Sequence, residues 1–192
     1  TLVGPVVDLW SRDRRLERVR SNGRARIESD SLTLTGDSID LRMQDQRMER
    51  VHVWGTRARA DAAAQQMEAD SLDILMPGQR LSELHALGRA IAWSRVDSTR
   101  IDSSERDWIA GDTLVAWFDS AAAGDTTSGA RMREIVATGN ARAFYQIAGA
   151  EGEKAQPKLS YNRGREITVS FKEGEVQRVE VRDRASGLLL EP

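Results

Sequence analysis

Three groups of residues in this sequence carry side chains that could do chemistry. The first is His52 and His85, its two histidines. They occupy the same slot in two similar phrases, MERVHVWG (48–55) and LSELHALG (81–88). On neighbouring strands they would stand side by side, and with Glu49 or Glu83 they would offer nitrogen and oxygen ligands to a zinc ion. Two solvated, outward-pointing imidazoles are the plainer reading, and no metal is expected. The second group is a recurring acid–hydroxyl pair: Asp30-Ser31, Asp37-Ser38, Asp70-Ser71 and Asp112-Thr113. Calcium loops need several oxygens converging within a Gly-rich turn. Here each pair runs into alternating apolar residues, so local turn and strand-start hydrogen bonding accounts for it. The third group is Trp10, Trp54, Trp93, Trp108 and Trp117. Stacking on sugar, anchoring at a rim beside acyl chains and core packing are all open to them. Trp93 and Trp117 look the most core-like, and Trp10, ahead of the repeats, would cap one end.

Nothing completes a catalytic set. There is no cysteine, which removes a thiol nucleophile, a disulfide framework and Cys-based zinc sites. No Ser–His–Asp order, phosphate loop, HExxH or dinucleotide fingerprint appears. The sequence does not read as an enzyme, and no cofactor is expected. A net charge of −2 argues against electrostatically driven nucleic-acid binding. Of the 28 basic residues only Lys154, Lys158 and Lys172 are lysine, and acids are interspersed among the arginines throughout. Hydrophobic residues at 40% can build a packed core within 192 residues, a length suited to one domain or a small pair. No apolar run approaches the roughly 20 residues of a membrane span. The chain opens at Thr1 without a charged-then-apolar leader, which suits a processed or trimmed product and leaves export open.

The elements that must position these groups announce themselves by repetition. An apolar pair spaced by three recurs at Leu16/Val19, Met48/Val51, Leu81/Leu84, Met132/Ile135 and Val176/Val179. Four residues after the second member stands Gly23, Gly55, Gly88 or Gly139; the fifth copy departs from the pattern, with Asp183. A second phrase fills the intervals: ESDSLTL (28–34), GDSIDLRM (36–43), EADSLDI (68–74), AGDTLVAWF (110–118) and GREITVSF (164–171). Both phrases alternate apolar and polar residues, the period of a strand with one buried face. The spacing predicts short antiparallel strands stacked rung upon rung, with the glycine bending the backbone at the same place on each. Turns are expected at NGR (22–24), MPGQ (76–79), GDTTSG (124–129), GAEGE (149–153) and KEGE (172–175), the last as a hairpin between ITVSF and VQRVEV. Segments 119–130 and 148–158 read as polar insertions. The Ala-rich window 58–68 reads as strand or loop before helical turn. Arg57 and Arg59 fall on the inward phase after Gly55, which requires a bulge or a slip of one residue.

Taken together, MREIVATGNARAFY, EADSLDIL, AGDTLVAWF and YNRGREITVSFKEGEVQRVEVRDRASGLLLEP resemble the OstA/LptA-like family of periplasmic lipopolysaccharide-transport proteins. That family includes LptC and the N-terminal domain of the outer-membrane translocon, LptD. Its "A-x-G-N-[AV]" and "A-D-x-L-x-Y" phrases become Ala137-Thr138-Gly139-Asn140-Ala141 and Ala69-Asp70-Ser71-Leu72 here, and the likeness runs from about Leu16 to Pro192. The resemblance implies an all-β fold of stacked antiparallel strands: an open β-jellyroll (β-taco) with a hydrophobic interior groove, in one domain spanning 1–192. It implies a periplasmic bridge protein, without catalysis, that carries the acyl chains of lipopolysaccharide towards the outer membrane. Other Lpt-type domains would dock by edge-strand addition, with head-to-tail homo-oligomers as one form. No N-terminal hydrophobic anchor of the LptC type and no translocon-type cysteine is present.

Phase alone then selects the groove residues: Val51, Val53, Leu72, Ile74, Leu84, Leu114, Ala116, Phe118, Ile135 and Ala137. Small residues (Ala25, Ala90, Ala92, Ala137, Ala141, Ala143) fall on the same inward phase, where they would make room for lipid or let two sheets pack closely. The rival readings are a structural β-repeat scaffold or filament unit with a dry core, and a carbohydrate-binding jellyroll that uses its tryptophans.

Overall fold

The computed structural model describes residues 1–29, 32–62, 65–94, 103–119, 130–147 and 156–191. Its strands are β1 (Leu2–Val3), β2 (Val6–Arg12), β3 (Arg15–Glu28), β4 (Leu32–Gln44), β5 (Arg47–Ala62), β6 (Gln65–Leu75), β7 (Glu83–Ser94), β8 (Trp108–Asp119), β9 (Arg131–Ile147), β10 (Lys158–Lys172), β11 (Glu175–Arg182) and β12 (Ser186–Leu190). A short 3₁₀ turn, Pro77–Gln79, joins β6 to β7. All twelve strands belong to one antiparallel sheet, and from β3 to β10 each pairs with its neighbours in sequence. At the first border β1 and β2 lie end to end along β3; at the other, β11 and β12 lie end to end along β10.

The strands are longer than the repeat suggested, because the stretches before and after each glycine form one bent strand instead of two short ones. The bend shows as a register shift at the same level of every lane, between Asn22 and Ala25, Trp54 and Ala58, Leu87 and Ala90, Ala110 and Thr113, and Gly164 and Glu166. It divides the sheet into two arms. NGR (22–24) is therefore no reversal but the bend inside β3. The real reversals are two-residue turns in which both central residues have φ above zero: Asp13–Arg14, Asp45–Gln46 and Glu173–Gly174. This is the turn whose twist matches antiparallel strands. The KEGE hairpin is thus present, with Lys172 opposite Glu175, whereas the two Asp-led turns carry no glycine and left no obvious mark. MPGQ does join two strands. GDTTSG and most of the polar insertions lie outside the described residues, as do Asp30 and Ser31. The Ala-rich window is extended where described, in β5 and β6.

The corner itself is a pair of left-handed residues. Gly23–Arg24 (φ 81° and 54°), Gly88–Arg89 (78° and 48°) and Gly139–Asn140 (75° and 49°) repeat it, and Gly55 bends alone at 132°. Asp183, the departure from the glycine pattern, adopts the same conformation with Arg184 (53° and 59°). The fifth corner is built after all, with an Asp that tolerates the left-handed region. At Gly55, Gly88 and Gly139 the facing strand puts a carboxylate into the bend. Asp37 accepts hydrogen bonds from the backbone N–H and hydroxyl of Thr56 at 2.7 and 2.8 Å, Asp70 from Arg89 Nε at 3.1 Å, and Asp112 from Asn140 Nδ2 at 3.2 Å. The three described acid–hydroxyl pairs, Asp37-Ser38, Asp70-Ser71 and Asp112-Thr113, accordingly stand in mid-strand and hold the corners. They do not start strands.

Gly139 tests the corner. A Cβ there would overlap the Asp112 side chain at a φ of 75°. Gly139→Ala is expected to lower the unfolding free energy by about 1–3 kcal/mol. Gly78→Ala, also at positive φ but with nothing within 4 Å, should lose only about 1 kcal/mol of backbone strain. Urea unfolding of the two variants checks this; equal losses would refute the role given to Asp112.

Candidate lipid-binding interior

The interior is built from inward-facing rows that cross the strands. On the first arm one row runs Ile39, Val53, Leu72, Ala86, Leu114, Ala137, Ile167. The next runs Leu41, Val51, Ile74, Leu84, Ala116, Ile135, Val169. Nine of the ten residues selected by phase stand in these two rows, and every one of the nine is buried, Leu84 being the most exposed at 4%. The tenth, Phe118, follows a bulge at Trp117/Phe118 and packs, partly buried, against the core at the tip of the arm. The opposing arm is lined differently. Ala58, Ala60, Ala69, Ala90, Ala92, Ala141 and Ala143 dominate it, relieved by Ile27, Leu34, Met67 and Ile109. Branched side chains on one arm therefore face an alanine wall on the other. All six small residues singled out by phase are buried, though Ala137 belongs to the first arm.

This asymmetry decides how the arms meet. Bulky residues on both would hold them apart, whereas alanine lets the sheets approach and the aliphatic tips fill the space. Burying each Val, Leu or Ile contributes about 1.5–3 kcal/mol. The Arg57–Arg59 conflict is resolved by the register shift between Trp54 and Ala58: Ala58 and Ala60 point inward, and both arginines turn out to meet Glu68. Ser21 stands in the first inward row near one border with its hydroxyl unpaired.

The tryptophans are not in this core. Trp54, Trp93, Trp108 and Trp117 lie half-buried on the outward phase, and Trp10 is exposed on the border. Trp93 and Trp117 alternate with the inward Ala92 and Ala116, so their core-like reading fails by one residue of phase. Outside, four of the tryptophans have ring or arginine neighbours. Trp108 stacks on Phe144 at 6.3 Å and meets Tyr161 edge-on, while arginines cover Trp10, Trp54 and Trp93 at about 5 Å.

The histidines also face out, but not side by side. β6 separates their strands, and Asp73 stands directly between His52 and His85. Glu49 is engaged by the backbone N–H of Gly78, and His85 meets Glu83 at 2.9 Å. Among the described residues no group of three His, Asp or Glu is placed to hold a metal ion. The row continues Arg20, Asp40, His52, Asp73, His85, with Arg18 and Arg50 forking onto Asp40 and Asp73. The hydrogen bond from Arg50, helped by its charge and the two imidazoles, holds the Asp73 carboxyl below its usual range. At the other arm's tip burial pushes the Asp107 carboxyl up, although it accepts hydrogen bonds from Gln146.

No protein-family model and no curated protein matches this chain. Among solved structures it is similar to LptH, the LptA-homologous periplasmic component of the lipopolysaccharide transport device of Pseudomonas aeruginosa. The identity is 13% and the TM-score 0.48, over 69% of this chain and 90% of that one.

The outer ladder carries a pH dependence. A depressed folded value means that ionised Asp73 stabilises the fold above the ordinary Asp value of about 3.9, and that this contribution is lost as pH falls through the lower folded value. Asp73→Asn should therefore flatten the acid side of the stability–pH curve and leave the neutral-to-alkaline limb with unchanged slope. Denaturant midpoints measured from pH 2 to pH 8 check the sign.

Proposed function

We propose that this chain is a lipopolysaccharide-binding bridge domain of the Gram-negative periplasm, which holds acyl chains between its two arms and passes them towards the outer membrane. One observation carries the reading. The sheet is hinged along a single line, with a continuous aliphatic face on one arm and an alanine wall on the other. Polar residues, including the paired arginines and acids, are turned outward. Such a face needs only separation of the arms to become a slot for hydrocarbon, where each buried CH₂ contributes about 0.8 kcal/mol without directional bonds. Carriage of this kind needs no catalytic group. The borders support the bridging half of the proposal. β1–β2 and β11–β12 each pair on one side only among the described strands, and Val6, Leu9, Val176 and Leu188 are exposed there. Unpaired strand borders of this kind accept strands from a partner domain.

A second reading, a scaffold unit with a permanently dry core, is favoured by the complete burial of Leu72, Ile74 and Leu114. Two experiments separate them. A photo-crosslinking residue at Leu72 or Leu114 should capture lipopolysaccharide, and one at Asp73 or Val115, on the opposite phase, should not; equal capture at both phases would overturn the assignment. Native mass spectrometry with added lipopolysaccharide should show bound lipid and a ladder of head-to-tail oligomers. Oligomers that never take up lipid would favour the scaffold.

A further inference from the structure

The two arms touch at their free ends as well as at the corner. Gln65 begins β6 on the inward phase of the alanine arm, in line with Met67 and Ala69. Its Nε2 lies 3.8 Å from the sulfur of Met132, the second residue of β9 on the other arm, 67 residues away. Around Met132 the aliphatic arm changes character. Its deep rows are mostly Val, Leu and Ile, but its tip presents Met48, Met76 and Met132 with Leu16, Leu81 and Phe118, all partly buried against the core. Methionine is unbranched and polarisable, and it repacks around irregular apolar shapes where branched residues cannot. An amide donating to a thioether is a weak bond. The outer Arg–Asp pairs lie along single arms and stay intact when the arms part.

We infer that the Gln65–Met132 contact closes a lateral mouth, and that the methionine-lined tip is the site that first receives a fatty acyl chain as it slides in sideways between the arms. The inference rests on the lipid-carrying proposal and adds the place of loading: across the strand tips, not through the ends of the stack. The arms would turn about the left-handed corners, where the ladder is already interrupted. The ligand class is an amphiphile whose acyl chains go in first while its head group stays outside the tips.

The chain has no cysteine, so the mouth can be pinned cleanly. Gln65→Cys/Met132→Cys is bridged with a short, reducible bis-thiol reagent, and uptake of N-phenyl-1-naphthylamine and of lipopolysaccharide is followed by fluorescence and native mass spectrometry. The expected result is at least a tenfold slower uptake by the bridged protein, restored by reductant. Each single-cysteine variant treated alike, and the unbridged double variant, lacks the closing contact and should load at least tenfold faster than the bridged protein. Wild-type loading by the bridged protein would overturn the lateral mouth and leave lipid carriage standing. Failure of the two cysteines to bridge would overturn it too, since the tips would not meet. If the unmodified chain takes up neither probe, the lipid-carrying proposal itself falls, and the mouth with it.

Discussion

Everything in this fold depends on bending a β-strand sharply without breaking its sheet. A strand that changes direction loses ladder hydrogen bonds at the bend, and an L-residue forced to positive φ is strained. Here the problem is solved once and copied. Left-handed residues turn the axis, in consecutive pairs everywhere but at Gly55, and at three corners glycine takes the crowded place while a carboxylate from the adjacent lane ties down the residue that follows. Thr56, Arg89 and Asn140 supply three different donors to the same acceptor position. The Thr56 donors hold the Asp37 carboxyl below its ordinary range, which marks the bend as an ionised site. Because the corners align, the arms face each other, and only then does an interior exist.

The second constraint is the difference between the arms. A folded sheet encloses two apolar faces whose side chains compete for one space. Alanine on one side and branched aliphatics on the other settle the competition. The same arrangement means that the wall nearest the corner is almost featureless, while adaptable residues collect at the tips. Under the proposed function, rigidity sits where the sheet is hinged and softness where a guest would arrive.

Much of this was legible in the sequence. The period of two placed nine of the ten selected residues on the correct face, because strict alternation leaves no freedom once one side is buried. The recurring glycine announced the corners. Other features were hidden for physical reasons. Asp183 imitates glycine, since its short side chain tolerates the left-handed region, so a real corner read as a departure. Asp13–Arg14 and Asp45–Gln46 turn strands without glycine for the same reason. Trp93 and Trp117 misled because size suggests burial, while phase puts them outside, Trp93 under Arg106. Asp37, Asp70 and Asp112 read as strand starts because their partners lie in another lane, 19 or 28 residues distant. The contact between Gln65 and Met132 has no local signature; it exists only once both arms are folded.

From β3 to β10 the pairing is strictly sequential, and that order has a consequence of its own. Each lane answers only to the two beside it, as in a repeat protein, so cooperativity is passed along the stack from neighbour to neighbour. A stack of this sort has no privileged length. Duplicating or losing a pair of lanes shifts the borders without redesigning the middle, and a neighbouring molecule added at a border is, to the lane it meets, simply the next rung. Growth of the domain by gene duplication and growth of an assembly by docking thus become the same physical act, performed on two different timescales.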